Sequence, residues 1–496
     1  MILSPGELAN FADYETVVVD KSASKRLFQP VFKFVARQVP EDVAPNLISL
    51  TAMMCLVQAW YLSYTNGDAY PKETTAIAIV LILLFWTLDA VDSIHARNIG
   101  NDSSLTEFVD HMCSSVGTIF LVLTLCQCYE VQEIDSVWHY VQMGQLLILN
   151  KHLGGFKKDY ISYRVFNGPG EGVTLFILML AFRGLTGFDF DSLINTVVDV
   201  PASLLPPAVL SRHPDLFEDA PSKISRTLFF MALVWTILMT LRLGKENAVT
   251  RWTLLICCLY MLVPSGLLMF SFELTLTDVI ARGMVTAMIS SDLVVARMAN
   301  RELHPWVVVV SMVSLVSNLF AFVNVTLYYA SVLFEVSSFT RLPILSRVVN
   351  VYQDGIFDLP HIGHMKAFEN AAKHGTRLFV GVVNDKDATP YKRKPIMTAK
   401  ERYEAVAACK YVYKVIQDAP CTKGALDKAF IKKHRIHIVC YGEEYNTPTD
   451  EWYAVPREMG IGRVVPRHDG MSTSELIKRI TTRDADELGR KSAALM

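Results

Sequence analysis

Three short segments in the C-terminal third of the chain carry residue types suited to phosphoryl chemistry. The first is DGIFDLPHIGHMKAFENAAK, Asp354 to Lys373, where a β-rich run gives way to a helical pattern. The junction sets His361 and His364 one turn apart on one face at the start of that helix, and Gly363 between them allows close backbone approach. A helix start presents unpaired N–H groups and the positive end of the backbone dipole, which favours phosphate. Two imidazoles there can offset the charge building on a phosphoryl group in transfer, a task of positioning and electrostatics. The second segment is the basic turn YKRKPIMTAKERY, with Lys392. In the third, RHDGMSTSELIKRI, Arg467 precedes Ser472, Thr473 and Ser474, which can cap another helix and hold phosphate through hydroxyls and backbone N–H groups.

A second cluster lies far upstream, in LDAVDSIHARNIGNDSSLTEFVDHMCSS. Asp89, Asp92, Glu107 and Asp110, with Arg97, stand beside strongly apolar stretches, where charge is costly and marks function by default. Asp89 and Asp92 are three apart on one helical face. Asp110 can meet them from the next helix, a donor set for hard divalent cations.

The elements that must position these groups follow from composition. The chain has 496 residues, 51% of them hydrophobic and 19% charged. Its charge is uneven: from Arg347 onward 44 of 150 residues are charged, against 52 in the first 346. That excludes a disordered or collagen-like chain and a single soluble domain. A net charge of -2 gives no reason to expect a polyanionic partner, so nucleic acid is not expected. Nine cysteines without a CxxC pair indicate neither a disulfide framework nor a zinc site, which fits a cytosolic redox setting. The first 20 residues show no apolar core of a cleavable signal peptide.

Apolar runs near 47–65, 75–91, 112–129, 135–150, 171–185, 226–242, 252–272 and 277–297 read as membrane spans. A further 29-residue run from Trp306 to Phe334 is either one tilted helix or a tight pair. Basic stretches at Lys21 to Arg37, KHLGGFKKDYISYR, RLGKENAVTR and ARMANRE all fall on one side if each earlier run crosses once. A double crossing by the last run then keeps the charged C-terminal domain on that cytosolic side, giving ten spans. Gly187 to Ser225, with its Pro-Pro and His-Pro turns, reads as a loop on the opposite face. The domains expected are an N-terminal cytosolic segment (1–45), a membrane domain (46–334), a linker (335–347), a soluble domain (348–481) and a tail (482–496). In the soluble domain the runs VVNVYQ, RLFVGVVN, YVYKVI, IHIVC and GRVVP alternate with helical segments, which predicts a parallel sheet covered on both faces.

On these motifs the soluble domain resembles the HxGH nucleotidyltransferases, and among them the eukaryotic choline-phosphate and ethanolamine-phosphate cytidylyltransferases. The resemblance rests on DGIFDLPHIGH, Lys392 followed by ERY, CKYV, DAP and GMSTS, from about Val348 to Ile480. It implies a Rossmann-like α/β fold and the joining of CTP, carried with magnesium, to a phosphomonoester with release of pyrophosphate. It further implies that His361 and His364 stabilise the transition state and that Lys392 and Arg467 bridge CTP and substrate phosphate. The nucleotide site would include Ile356, Phe357, Asp358, Gly363, Met471, Ser472, Thr473 and Ser474. Choline enzymes of this family have a Trp, and ethanolamine enzymes usually a Tyr, where this chain has Cys421. Tyr445 and Tyr453 can supply part of a cage for the alcohol, and Glu443 and Glu444 can accept from a primary ammonium. The balance favours phosphoethanolamine over phosphocholine.

The upstream stretch resembles the CDP-alcohol phosphotransferases, whose pattern is D-x2-D-G-x2-A-R-x8-G-x3-D-x3-D. APNLISL, FVDHMCSS and NGPGEG extend the likeness to the eukaryotic choline and ethanolamine phosphotransferases. Those enzymes use two magnesium or manganese ions to transfer a phospho-alcohol from its CDP ester to diacylglycerol. Asp89, Asp92, Ala96, Arg97 and Asp110 fit the pattern, whereas Ser93 and Thr106 replace its glycines and Ser114 its last aspartate. That aspartate serves the family as metal ligand and base, and serine at its ordinary pKa does neither, so an impaired membrane half is expected. Together the resemblances imply an integral protein of the endoplasmic reticulum or Golgi membrane, its C-terminal domain in the cytosol, and a homodimer.

Overall fold

The computed structural model describes residues 2–15, 18–158, 161–163, 165, 168–189, 220–262, 274–391, 394–420, 424, 426–466 and 471–493. The chain divides between Thr340 and Arg347 into two units.

In the first unit α1 (Pro5–Asp13), β1 (Val18–Asp20) and α2 (Ala23–Gln38) precede the long helices α3 (Pro45–Asn66), α4 (Pro71–Asn98), α5 (Ser104–Cys128) and α6 (Ile134–Lys158). Then come β2 (Ile161–Tyr163), α7 (Pro169–Thr186), α8 (Ala220–Leu241), α9 (Ala248–Leu262), α10 (Leu276–Met298), α11 (Trp306–Val313) and α12 (Asn318–Thr340). Their starts are written in the sequence. Proline stands in the first turn of α3, α4 and α7, where its missing N–H is no loss. Ser103 caps α5, and Thr275 and Asp278 cap α10 reciprocally. Gly187 ends α7 with φ 74°, a left-handed stop that glycine adopts without strain.

Every expected apolar run contains a helix. Among the described residues six helices are long and apolar enough to cross a membrane, α3, α4, α5, α8, α10 and α12, against the ten spans expected. The run from Trp306 breaks at Ser314 to Ser317 into α11 and α12. Eight residues rise about 12 Å against a hydrocarbon core of about 30 Å, so α11 does not cross by itself. The loop expected at Gly187 to Ser225 is already helical from Ala220, and residues 190–219 lie outside the described residues. Glu335, expected to open the linker, lies inside α12, which continues to Thr340. The structure also pairs β1 with β2 in parallel, Val19 opposite Ser162, which the sequence did not announce.

The second unit is the expected parallel α/β fold. Five strands, β3 (Asn350–Gly355), β4 (Arg377–Val382), β5 (Lys414–Gln417), β6 (Ile438–Gly442) and β7 (Gly462–Val465), lie in the order β5-β4-β3-β6-β7, all parallel. The helices between them are α13 (Ile362–Ala372), α14 (Asp385–Tyr391), α15 (Ala399–Ala407), α16 (Lys428–Lys433) and α17 (Ala454–Glu458). The tail expected from residue 482 instead continues α18 (Thr473–Ala493). Alternate strand residues feed two cores, as a sheet covered on both faces requires. Val351, Val380 and Cys440 pack with Phe357 and Phe368 on one face, and Tyr352, Val439 and Tyr441 with Leu426 and Ile431 on the other. Gly381 is needed here, because a Cβ would stand 2.2 Å from the Tyr352 hydroxyl.

Arg402 of α15 is fully buried and ties three segments together. It donates to the Ile356 carbonyl at 2.6 Å, the Val383 carbonyl at 2.8 Å and the Asp385 carboxylate at 2.7 Å. Arg402→Met removes these bonds and leaves the two carbonyls without that donor, so this unit is expected to lose about 3 kcal/mol or more. Hydrogen exchange of β3 and β4 amides in the full-length protein checks it; unchanged protection would contradict the assigned role.

Candidate functional site

The site in the second unit is built on the turn between β3 and α13. Its backbone is strained: Phe357 and Leu359 take φ of 51° and 47°, a region side chains other than glycine's seldom adopt. Asp358 holds that conformation. Its carboxylate accepts from the Ile396 and Met397 N–H groups, both at 3.0 Å, and its carbonyl accepts from the Thr473 hydroxyl at 3.1 Å. One residue thereby joins the histidine turn, the Ile396–Met397 part of the basic segment, and the start of α18. Both carboxylate oxygens serve this clasp, so Asp358 positions the loop.

His361 and His364 cap α13 reciprocally. His361 Nδ1 accepts from the Gly363 N–H at 3.1 Å, and His364 Nδ1 accepts from the His361 N–H at 3.4 Å. Each Nδ1 is therefore the unprotonated nitrogen, which leaves the proton on Nε2 in the neutral ring. The rings stack with centroids 4.0 Å apart. His361 Nε2 is buried with no protein partner, a donor waiting for an acceptor. Burial holds the His361 pKa below its usual value, so the ring is neutral near pH 7. Gly363 is dictated by crowding, since a Cβ there would meet the His361 ring at 2.8 Å and the Met471 carbonyl at 3.1 Å.

The start of α18 closes the site. Ser472 accepts from the Glu475 N–H at 3.1 Å and caps the helix, as expected. Ser474 is exposed. Phe357 is buried in the core, its ring 5.4 Å from His364 and 4.9 Å from Phe368, so it braces the histidine; Ile356 offers its carbonyl to Arg402. Lys392, Arg467 and Cys421 lie outside the described residues.

Around the proposed alcohol pocket, Tyr453 stacks on Tyr441 at 4.7 Å and meets Tyr445 edge-on at 5.2 Å. Its hydroxyl donates to Asp354 at 2.6 Å. Glu443 and Glu444 are exposed. Tyr441 and Asp354 were not anticipated, because nothing in the sequence reveals that Tyr453 stacks on the one and bonds the other, 99 residues away.

In the first unit the carboxylates meet as expected from α4 and α5. Asp89, Asp92 and Asp110 lie close enough to feel one another's charge. Asp92 takes a short hydrogen bond from Ser49 of the APNLISL segment, while its Oδ1 is buried without a partner. Ser114 donates to Asp89 at 3.2 Å, filling the place of the family's last aspartate with a hydroxyl. Lys151 of α6, its ammonium 4.6 Å from the Tyr163 ring, lies in the field of Asp89 and Asp110. Arg97 is exposed and Ser93 half-buried. A group adjoins them of which the sequence marked only Glu107: His111 pairs with Glu107 at 3.5 Å, Arg297 with Glu107 at 2.8 Å, and His111 meets His152 edge-on at 4.9 Å. Its signal was present, Glu107 and His111 standing four apart on one helical face.

Both units contain regions that match known protein families. Residues 352–479 match the family model of cytidylyltransferase-like proteins, and residues 42–153 that of CDP-alcohol phosphatidyltransferases. The chain is 40% identical over 140 residues to choline-phosphate cytidylyltransferase 2 of Arabidopsis thaliana, covering 27% of this chain and 45% of that one. It is 39% identical over 150 residues to choline-phosphate cytidylyltransferase A of Homo sapiens, covering 29% and 40%. With ethanolamine-phosphate cytidylyltransferase of Dictyostelium discoideum the identity is 34% over 142 residues, covering 28% and 39%. The chain thus spans less than half the length of these relatives. It carries a CDP-alcohol phosphatidyltransferase domain and, after it, a nucleotidyltransferase domain of the cytidylyltransferase-like kind.

CDP-alcohol phosphotransferases generally use divalent metals. Among the described residues no three His, Cys, Asp or Glu side chains form a closed ligand group. The oxygen-only donors and the unpartnered Asp92 Oδ1 nevertheless fit a magnesium-type ion, which is usually held by one or two carboxylates together with substrate phosphates.

Burial raises the Asp354 pKa from its ordinary 3.8 to about 6. Between those values the folded chain keeps a proton that the unfolded chain has lost, so the second unit loses stability as pH rises through this window. The full shift corresponds to roughly 3 kcal/mol. Asp354→Asn is expected to flatten the slope. Hydrogen exchange of β3 between pH 4 and 6, corrected for intrinsic rates, measures it, and an unchanged slope would refute the assignment.

Proposed function

We propose that the second unit is a cytidylyltransferase joining CTP to phosphoethanolamine or phosphocholine, and that the first unit holds it at a membrane. The observation carrying this reading is the reciprocal histidine cap at the start of α13, with the buried Nε2 of His361 unpartnered beside the start of α18. A phosphomonoester oxygen attacks the α-phosphorus of CTP. The new P–O bond forms as the bond to the β-phosphate oxygen breaks, giving the CDP-alcohol and pyrophosphate. His361 and His364 donate Nε2–H bonds to the oxygens where charge builds, in a geometry fixed before the reaction starts. Lys392 and Arg467 bridge the two phosphate groups, and Ser472 and Thr473 hold the β- and γ-phosphates at the helix start. Magnesium enters with CTP.

Among alcohols the reading favours phosphoethanolamine. Glu443 and Glu444 can accept from a primary ammonium, and Cys421 offers no aromatic face to a trimethylammonium. Tyr445 and Tyr453 form the wall. The protein on this reading is a homodimer of the endoplasmic reticulum or Golgi membrane, with the soluble unit in the cytosol.

A second reading, that the first unit also transfers the phospho-alcohol to diacylglycerol, is favoured by the Glu107–His111 pair beside Asp110. His111 would take the proton of the acceptor hydroxyl and Glu107 would stabilise the charged ring, a role Ser114 cannot fill. Magnesium or manganese at Asp89, Asp92 and Asp110, when bound, supplies positive charge beside the diphosphate. Both products would then arise in one chain, where linkage raises the effective concentration of the intermediate.

Purified full-length protein in detergent with diacylglycerol, magnesium and manganese tests both readings. Radiolabelled phosphoethanolamine with CTP is expected to give CDP-ethanolamine, and His361→Ala to lower that rate about 100-fold or more. No CDP-alcohol from either phospho-alcohol would overturn the first reading. Supplied CDP-ethanolamine, converted to lipid by the parent and not by His111→Ala, would establish the second; no lipid would leave the first unit as an anchor.

A further inference from the structure

Lys151 is a cation that neither proposed reaction uses. It stands on α6 directly before His152, and the neighbouring residues fix its direction. Asn150 donates to the Thr236 hydroxyl of α8 at 2.7 Å, and His152 Nδ1 lies 2.7 Å from the Ser290 hydroxyl of α10. Held on two sides, α6 cannot turn about its own axis, so position 151 is set. The ammonium rests 4.6 Å from the centroid of the Tyr163 ring, a cation–π contact. Tyr163 is itself tied down, its carbonyl accepting from the Lys21 N–H at 3.1 Å beside the paired strands β1 and β2. From that seat the ammonium acts electrostatically on Asp89 and Asp110.

We propose that the Lys151 ammonium supplies the positive charge a second divalent ion would otherwise bring, so that the first unit takes a single magnesium or manganese ion at Asp89, Asp92 and Asp110. Charge balance carries the argument. The pattern D-x2-D-G-x2-A-R-x8-G-x3-D-x3-D gathers four carboxylates, which match two divalent ions. Here Ser114 takes the fourth place and donates to Asp89 at 3.2 Å, leaving three carboxylates. The ammonium offsets one of them, and the two negative charges that remain match one divalent ion. A second ion would bring an excess of positive charge into surroundings that screen it poorly. A ligand for the first ion is at hand, because Asp92 is 1% exposed and its Oδ1 has no partner in the protein. Glu107 does not alter the count, since Arg297 pairs with it at 2.8 Å. Arg97 belongs to the four-aspartate pattern and does not alter it either. The inference rests on the reading of this cluster as a divalent-cation site.

The test is manganese binding, read without turnover. Full-length protein in detergent is titrated with Mn2+ in the absence of nucleotide, and the free ion is followed by electron paramagnetic resonance. D89N/D92N/D110N is titrated in parallel, so that ions held elsewhere are subtracted. The parent is expected to hold one ion at the cluster, and S114D, which keeps Lys151, also one. S114D/K151A is expected to hold two, with the spin–spin broadening of ions about 4 Å apart. K151Q alone is expected to keep one ion and bind it about tenfold or more tightly, as the loss of a nearby fixed positive charge requires. Two ions in the parent or in S114D, one ion in a folded S114D/K151A, or unchanged affinity in K151Q would overturn the proposal and leave the metal site standing. No ion at the cluster in any of these proteins would overturn the reading of a metal site as well.

Discussion

The second unit depends on one constraint, a turn between β3 and α13 held in a conformation its own residues resist. Phe357 and Leu359 are left-handed without being glycine, and the bonds of Asp358 to Ile396, Met397 and Thr473 keep them so. Given that turn, the first N–H groups of α13 open toward the start of α18, and the two histidines can cap each other. Their caps use Nδ1 and fix the proton on Nε2. A backbone requirement thereby sets the tautomer, and the tautomer provides the hydrogen-bond donors that phosphoryl transfer needs. Arg402, bound to the Ile356 carbonyl, braces the same turn from the core side.

The first unit meets a different constraint, the cost of gathering charge among apolar helices. Asp89, Asp92 and Asp110 converge at the junction of α4 and α5, with Ser49, Ser114 and the Lys151 ammonium around them. Replacing an aspartate by Ser114 lowers the negative charge of the cluster, and Lys151 offsets part of what remains. Glu107 and His111 flank Asp110 on α5, His152 follows Lys151 on α6, and the three keep titratable chemistry beside the carboxylates.

Much of this was legible in the sequence because local chemistry wrote it. The five strands follow β-branched runs, Pro45, Pro71 and Pro169 mark helix starts, and the histidine spacing marks the turn. What was not legible depends on contacts between distant segments. Asp358 reads as a nucleotide residue until its carboxylate is seen to clasp a segment 38 residues away. Phe357 reads as a pocket wall, yet its ring enters the core, because β3 ends with its alternation pointing there. The run from Trp306 looked continuous by hydropathy alone, and its Ser314, Ser317 and Asn318 were the available sign that one helix ends and another begins.

The central claim is that His361 acts through a neutral Nε2–H donor while its Nδ1 serves the backbone. The most direct measurement compares kcat and KM for CTP in His361→Gln and His361→Asn of the full-length protein. Glutamine places an N–H donor near the Nε2 position; asparagine can replace the cap but not reach the phosphate. The account predicts that asparagine loses about 100-fold or more in kcat with a folded domain, and that glutamine recovers a measurable part of it. Equal activity in the two variants, or near-parental turnover with asparagine, would contradict it.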